Sequence, residues 1–277
     1  MSQKRVLILT LFAMIAFAGN SLLCRVALKL DQVDAASFTS IRIISGALTL
    51  WIIVKMRGRP QATAGNWPSA IALFSYMASF SFAYISLPVA TGALLLFGAA
   101  QATMIGYGLW TGERLRMRQV VGLAVAFGGL VGLLFPGISA PPLYGSILML
   151  CAGASWGVYS LLGKFADDPI LVTAENFRRA GYLTLGLSVV MIPCMSIDRA
   201  GFWCALSSGA LASGVGYVIW YAALRRLKVT SAATAQLSVP VIAAVGGIVL
   251  LGEPVSLRLF FASTATLGGI AWVIFDI

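Results

Sequence analysis

The sequence has no histidine and few charged residues, since Asp, Glu, Lys and Arg make up only 10% of its 277 residues. Soluble globular domains carry about 25%, so a soluble domain is excluded. There is no His-Glu-x-x-His metal motif, no Ser-His nucleophile, no paired-carboxylate site and no Walker-type phosphate loop. The four cysteines lack metal-ligand spacing. We therefore expect neither an enzyme nor an ATP-driven pump, and no cofactor or metal.

Apolar residues dominate instead, at 60% of the chain. A membrane-spanning helix needs about 20 of them, and hydropathy read against Pro, Gly and charge interruptions gives ten such stretches. They cover residues 5–28, 33–54, 67–87, 89–111, 117–135, 143–165, 171–193, 201–224, 229–251 and 257–275. The sequence therefore predicts an all-α integral membrane protein with ten transmembrane helices in a lipid bilayer.

The first apolar stretch has a second interpretation. Lys4-Arg5, the apolar run and Ala16-Phe17-Ala18 together resemble a secretory signal with a small-residue cleavage site. The run continues through Leu22-Leu23, which favours a retained first helix.

The net charge of +10 could suggest a nucleic-acid partner, but the basic residues occupy alternate loops rather than one face. If the N-terminus is cytoplasmic, only Lys29, Arg199 and Arg258 lie outside. The basic residues inside are Lys4, Arg5, Lys55, Arg57, Arg59, Arg114, Arg116, Arg118, Lys164, Arg225, Arg226 and Lys228. By the positive-inside rule, both termini are predicted in the cytoplasm, across a bacterial inner membrane, and no nucleic acid is expected.

The chain resembles itself when it is shifted by 140 residues, which aligns Gly112-Glu113 with Gly252-Glu253 and Gly128-Gly129 with Gly268-Gly269. Chance matches among 29 glycines are the alternative, but the matches keep their order along the chain. Five helices are an odd number, so a second five-helix unit would cross the membrane in the opposite direction. Inverted repeats of this kind build transporters whose site lies between the repeats.

Ten helices in two halves, each with a Gly-Glu pair (Gly112-Glu113 and Gly252-Glu253) before its last helix, resemble the EamA-type branch of the drug/metabolite transporter superfamily. The aromatic-rich third and eighth helices are most similar to those of bacterial aromatic amino-acid exporters. The resemblance implies two inverted five-helix repeats, residues 1–137 and 138–277, around a central cavity lined by helices 1, 3, 4, 6, 8 and 9. It also implies export of small metabolites, above all amino acids.

Aromatic residues recur at helical spacing in three stretches, which places each set on one helix face. Those expected to line the cavity are Tyr76, Phe80, Trp156, Tyr159, Tyr217 and Trp220. Their rings could stack on a planar substrate or hold a cation. Packing between helices or an interfacial belt is the alternative, and for Tyr84 and Tyr221, near helix ends, it is equally favoured.

Asn20, Gln101 and Gln236 lie deep in apolar stretches, where an amide costs free energy unless it pairs or faces a wet cavity. In a cavity they could bind the ammonium and carboxylate of an amino acid, and hydrogen bonding between helices is the alternative. Pro240 lies well inside the ninth stretch. It should kink that helix, so we predict a gating hinge there. The Gly128 to Gly132 spacing predicts helix packing.

Four basic residues fall within predicted spans, namely Arg25, Arg42, Arg178 and Arg179. Glu175 precedes Arg178 and Arg179 by three and four residues, within reach of a helical ion pair. Arg42 has no partner nearby in the sequence. It could therefore support a substrate carboxylate, or extend towards the membrane surface.

These features predict an alternating-access exporter of aromatic and other amino acids, with a single copy as the expected unit. The nearest alternative exports drugs or organic cations such as methyl viologen, with or without proton coupling. Proton antiport needs a titratable group in the pathway, and Glu175 is the one carboxylate clearly within a predicted span. Because neighbouring arginines favour its charged form, we predict a facilitator.

Overall fold

The computed structural model describes residues 3–58, 65–112, 114, 116–137, 140–163, 166–224, 227, 235–254 and 256–275. Glu113 of the first Gly-Glu pair lies outside the described residues. So do five of the basic residues predicted to face the cytoplasm, namely Arg59, Lys164, Arg225, Arg226 and Lys228.

The described residues form long helices and no strand, apart from one isolated β-bridge between Val33 and Ile197. The helices are α1 Gln3–Lys29, α2 Ala35–Met56, α3 Trp67–Tyr84, α4 Val89–Trp110, α5 Met117–Leu134, α6 Leu143–Gly163, α7 Pro169–Met191, α8 Arg199–Leu224, α9 Ser238–Leu251 and α10 Leu257–Phe275. The predicted all-α class is confirmed for this part of the chain.

Short polar residues set several helix boundaries. Helices α2, α3, α7 and α8 begin after Asp34, Asn66, Asp168 and Asp198, and each of these side chains accepts a backbone N–H of the first turn. Such caps satisfy donors that have no partner inside the helix. Helix α9 ends at Gly252, whose φ of 62° is a left-handed conformation that glycine adopts without strain.

Seven of the described helices are long and apolar enough to cross a membrane, namely α1, α2, α4, α5, α6, α8 and α10. Helix α7 carries three charged residues, Glu175, Arg178 and Arg179, and the described part of α9 has 14 residues. Large apolar side chains such as Leu11, Phe127 and Val249 are exposed on the outside of the bundle, as expected for a multi-pass membrane protein. Ten crossings stay a prediction.

The main helix contacts join one helix from α1–α5 to one from α6–α10. Helix α2 packs on α7, α3 and α4 pack on α6, α5 packs on α10, and α1 packs on α8 and α9. The interior of the bundle therefore lies between the two halves of the chain, so a site there is built from both.

Glycines allow α5 and α10 to pack closely, but they are not the glycines that the sequence predicted. A Cβ on Gly122 would lie 2.9 Å from the carbonyl oxygen of Gly269, and one on Gly129 would lie 2.9 Å from that of Ala262. A Cβ on Gly128 or Gly132 would have no neighbouring atom of the described residues within 4 Å. The prediction that these two glycines pack a helix was therefore wrong, because they lie on another face of α5.

Contacts between loops show how the helices are oriented. Asp34, before α2, donates its backbone N–H to the carbonyl of Ser196, before α8, and its carboxylate accepts the Ser196 N–H at 3.0 Å. Burial raises the pKa of the Asp34 carboxyl, but hydrogen bonds from Ser37, Ser196 and Ala36 outweigh it and leave this pKa below its usual value. At the opposite end of α2, Arg57 lies 4.0 Å from Asp168 at the start of α7. Helices α2 and α7 are therefore antiparallel.

Candidate functional site

A small cavity lies in the interior of the bundle, where α1, α2, α3, α4, α6 and α8 meet. Its lining residues are Phe17, Asn20, Ser21, Arg42, Tyr76, Phe80, Leu96, Phe97, Trp156, Ala212, Ser213 and Tyr217. Its volume is about 20 Å³, which is room for about one water molecule. An amino acid would fit only if the surrounding helices moved apart.

The wall of this cavity is largely aromatic, and its rings come from both halves of the chain. Trp156 on α6 lies 5.1 Å from Tyr76 on α3, 5.6 Å from Tyr217 on α8 and 6.4 Å from Phe17 on α1, measured between ring centroids. Tyr76 in turn lies 5.6 Å from Phe80. These distances are typical of interacting rings. A flat substrate that entered between the rings would replace their contacts with each other by contacts with itself.

Arg42 supplies the charge of the site. Its side chain is 0% exposed. Its Nε donates to Ser213 Oγ at 3.2 Å and its Nη2 to Tyr76 Oη at 3.1 Å. The guanidinium lies 4.8 Å from the centre of the Phe80 ring. A cation is thus held beside the cavity by uncharged groups.

One stretch of α8 gives the cavity its polar wall. Residues Ser208–Val215 form a π-helix, and such turns are often found at functional sites. Ser208 Oγ donates to Asn20 Oδ1 at 2.6 Å, and Ser213 accepts from Arg42. Tyr217 follows this stretch, and its hydroxyl has no hydrogen-bond partner in the described part of the chain.

A second polar cluster ties the halves together at the end of the bundle where α1, α3 and α9 finish. Arg25 Nε donates to Glu253 Oε1 at 3.1 Å, and its Nη1 donates to the carbonyls of Tyr84 and Ile85. The other Glu253 oxygen accepts the Val89 N–H at 2.7 Å. Glu253 is buried. We call these residues the Arg25–Glu253 tie.

A larger pocket, of about 270 Å³, lies beside this tie. It is lined by Ser86, Pro88, Ala90, Thr91, Leu133, Ala140, Pro141, Pro142, Ala244, Ile248, Glu253, Pro254, Ser256 and Leu259. These residues belong to the ends and loops of α3 to α6, α9 and α10, so the pocket lies at one end of the bundle.

The structure brings five of the nine predicted binding residues to the wall of the central cavity, namely Asn20, Tyr76, Phe80, Trp156 and Tyr217. Tyr159 and Trp220 lie behind the wall, in ring contact with Trp156 and Phe17. Gln101 is buried on α4 and Gln236 is half-buried near α9, but neither lines the cavity. For all nine, binding stays a prediction.

Pro240 is the third residue of α9, which the structure starts at Ser238. A proline in the first turn removes no internal hydrogen bond. The described helix is interrupted at Leu237, and Ser238 Oγ donates to the carbonyl of Ala235 at 2.6 Å. Pro240 therefore lies next to a break in the helix, and its role as a hinge stays a prediction.

Sequence reasoning left several wall residues out. Helix α2, which the family resemblance did not place at the cavity, contributes Arg42, the residue that the sequence suggested as a support for a carboxylate. No described residue of α9 lines the cavity, although the family resemblance implied α9. Phe17 could have been found, because it lies three residues before Asn20 and shares its helix face. The sequence did not indicate that Glu253 is buried, because Glu253 lies after an apolar stretch and not within it. Glu175 pairs with Arg178 at 2.9 Å, as predicted, and the pair lies outside the central cavity.

Comparison with known proteins gives two matches to one family along the chain. The sequence profile described as the EamA-like transporter family matches residues 4–135 and 143–275. An uncharacterized protein of Pseudomonas aeruginosa is 52% identical over 99% of this chain and 96% of its own length. A solved crystal structure superposes with a TM-score of 0.67, at 21% identity, over 96% of this chain and 99% of the other.

More distant relatives carry functional names. A probable terminal-alkyne amino-acid exporter of Streptantibioticus cattleyicolor is 26% identical over 81% of this chain and 78% of its own. A probable amino-acid metabolite efflux pump of Salmonella typhimurium is 26% identical over 60% of this chain and 61% of its own.

Proposed function

The chain belongs to the EamA-like transporter family, and on that premise we propose that it exports aromatic and other amino acids across the bacterial inner membrane. It is a transporter and not an enzyme. The observation that carries the choice of substrate is the ring cluster around Trp156, which lines a cavity between the two halves of the chain. Two relatives named for amino-acid efflux support the same class.

In the proposed topology the chain crosses the membrane ten times, as two inverted repeats with both termini in the cytoplasm. Support comes from the two family matches and from helix contacts that mostly join one half to the other. The antiparallel course of α2 and α7, each the second helix of its repeat, is what inversion requires. One copy contains the whole cavity, so a monomer is the proposed unit.

The proposed mechanism is alternating access. The central cavity holds about one water molecule, so the two halves must separate on one side to admit a substrate and on the other to release it. The Arg25–Glu253 tie joins the halves at one end. Opening at that end would require the tie to break.

We propose transport down the substrate gradient, because the chain has no histidine and no described carboxylate lines the central cavity. Glu175 and Glu253 are each paired with an arginine outside it. Efflux of labelled L-phenylalanine from proteoliposomes should then proceed without an imposed pH gradient. A strict requirement for that gradient would contradict the facilitator.

A second candidate is export of organic cations such as methyl viologen. One observation favours it, because the rings of Tyr76, Trp156 and Tyr217 also form a surface that attracts cations. The two candidates differ in whether the substrate carries a carboxylate.

Counterflow into proteoliposomes tests the proposal, with labelled L-phenylalanine compared with labelled methyl viologen. We expect the amino acid to be transported, and Trp156→Ala and Tyr217→Ala each to lower its apparent affinity by roughly three- to tenfold, since one ring contact is worth about 0.5–1.5 kcal/mol. Trp110→Ala is the matched control, because Trp110 is 85% exposed on α4. Transport of methyl viologen alone, or unchanged L-phenylalanine transport in both cavity variants, would contradict the proposal.

A further inference from the structure

Arg42 is a buried cation that has no counter-ion within the described part of the chain. Among the residues that the structure describes, no Asp or Glu oxygen lies within 4.0 Å of its guanidinium, and the side chain has no exposed surface. An unpaired charge in a protein interior costs several kcal/mol, and charges inside a membrane protein generally mark a functional site. The position is therefore better explained by a role in binding an anion than by packing.

The uncharged neighbours of Arg42 orient it without neutralising it. Ser213 and Tyr76 each accept one of its N–H groups, and the rings of Tyr76 and Phe80 lie within 5.3 Å and 4.8 Å of the guanidinium carbon. Hydrogen bonds at Nε and Nη2 fix the plane of the group. Its remaining nitrogen, Nη1, has no partner in the described part of the chain.

A second unsatisfied donor lines the same cavity. The Tyr217 hydroxyl on α8 is buried and has no partner among the described residues. Buried polar groups are normally hydrogen-bonded, so two unpaired ones at a single small cavity indicate a polar ligand. Both can donate, and a guanidinium matches the planar geometry of a carboxylate.

We infer that Arg42 Nη1 and Tyr217 Oη bind the carboxylate of the substrate, and that the rings around Trp156 hold the rest of the molecule. This inference rests on the proposed function and narrows it. It makes the transporter selective for molecules that carry a carboxylate, and it places a positive charge where an organic dication would otherwise bind.

The test is competition against counterflow of labelled L-phenylalanine in proteoliposomes of the purified wild-type chain. The competitors are unlabelled L-phenylalanine, L-phenylalaninamide, in which an uncharged amide replaces the carboxylate, and 2-phenylethylamine, which lacks the carboxyl group. Hydrogen bonds to charged groups are strong, so we expect L-phenylalanine to compete at least roughly tenfold better than either analogue.

Variants then show which residues cause the preference for L-phenylalanine over the two analogues. Arg42→Gln should reduce the preference to about twofold or less, and Tyr217→Phe should reduce it in part while keeping the ring. Arg42→Lys keeps the positive charge but lacks the planar N–H donors of a guanidinium, so it should retain a weakened preference for L-phenylalanine. This variant provides a measurement even if Arg42→Gln does not fold. Arg178→Gln is the matched control, because it removes an exposed arginine elsewhere, and it should leave the preference unchanged.

The outcomes separate the inference from the proposed function. If wild-type protein moves L-phenylalanine but acid and amide compete equally, the inference is wrong and amino-acid export stands. Equal competition together with a requirement for chloride would assign Arg42 to an inorganic anion and would also overturn the inference. Transport of methyl viologen but of no amino acid would contradict both.

Discussion

Arg25 and Arg42 are both arginines within predicted membrane spans, but they have different surroundings. Arg25 pairs with Glu253 and donates to two helix-end carbonyls, whereas uncharged groups and rings surround Arg42. The sequence identified both as unusual. It could not tell them apart, because Glu253 is separated from Arg25 by 228 residues along the chain.

The Arg25–Glu253 tie leads to a prediction for stability. Removing one partner of a buried ion pair leaves the other charge without compensation, which typically costs about 3–5 kcal/mol. Arg25→Gln and Glu253→Gln should each lower the melting temperature of the purified protein in detergent by several degrees. The double variant should lose less than the sum of the two, because the two residues interact directly.

The exposed pair Glu175–Arg178 provides the control for this experiment. Its arginine side chain is 54% exposed, and exposed ion pairs contribute about 0–1 kcal/mol. Arg178→Gln should therefore leave the melting temperature nearly unchanged. Strictly additive losses from Arg25→Gln and Glu253→Gln would argue against a tie.

At the scale of the helix, α8 combines close packing with the polar wall of the cavity. Its π-helical stretch lies against α2, so that a Cβ on Gly209 would meet Ser45 Oγ and the backbone of Arg42. A Cβ on Gly186 of α7 would have no neighbour within 4 Å in the part of the chain that the structure describes. The two glycines look alike in the sequence, because what a glycine packs against depends on another helix.

Substitution of these glycines tests whether the contact between α8 and α2 positions Arg42. Gly209→Ala should destabilise the protein by about 1–3 kcal/mol, the usual cost of adding a methyl group to a full interior, and should weaken L-phenylalanine counterflow. Gly186→Ala should leave both the melting temperature and counterflow unchanged or raise stability slightly. Equal behaviour of the two variants would show that α8 can move away from α2 without consequence.

For the whole molecule, the two halves contribute to one interior, and the proposed membrane orientation follows from the positive-inside rule. The loop between α7 and α8 is predicted to face away from the cytoplasm. It contains Cys194, which is exposed, whereas Cys24 is buried, Cys151 lies exposed within α6 and Cys204 is half-buried within α8. The native cysteines can therefore report on orientation without engineering.

Labelling with a membrane-impermeant maleimide checks that orientation. In spheroplasts we expect one reactive site from outside, and we expect Cys194→Ser to abolish the labelling. Cys151→Ser and Cys204→Ser should have no effect, because both cysteines lie within helices that are proposed to cross the membrane and the reagent does not enter the lipid. Labelling of Cys194 only after lysis would reverse the proposed topology.

The sequence by itself determined the class of protein, the positions of most helices and the resemblance to a family of exporters. Those properties are local, because apolar length, charge in loops and capping residues act within about 20 residues of chain. It also pointed to Tyr76, Trp156 and Tyr217, since helical spacing alone gathers aromatic residues on one face.

The tertiary structure decided what those residues contact. It brought Arg42 next to Tyr76 and Ser213, paired Arg25 with Glu253, and selected Gly122 and Gly129 rather than Gly128 and Gly132 for packing. Each of these outcomes depends on which helices become neighbours. The packing of the whole bundle decides which helices are neighbours. The partners in these contacts lie far apart along the chain, so no short segment of sequence contains both.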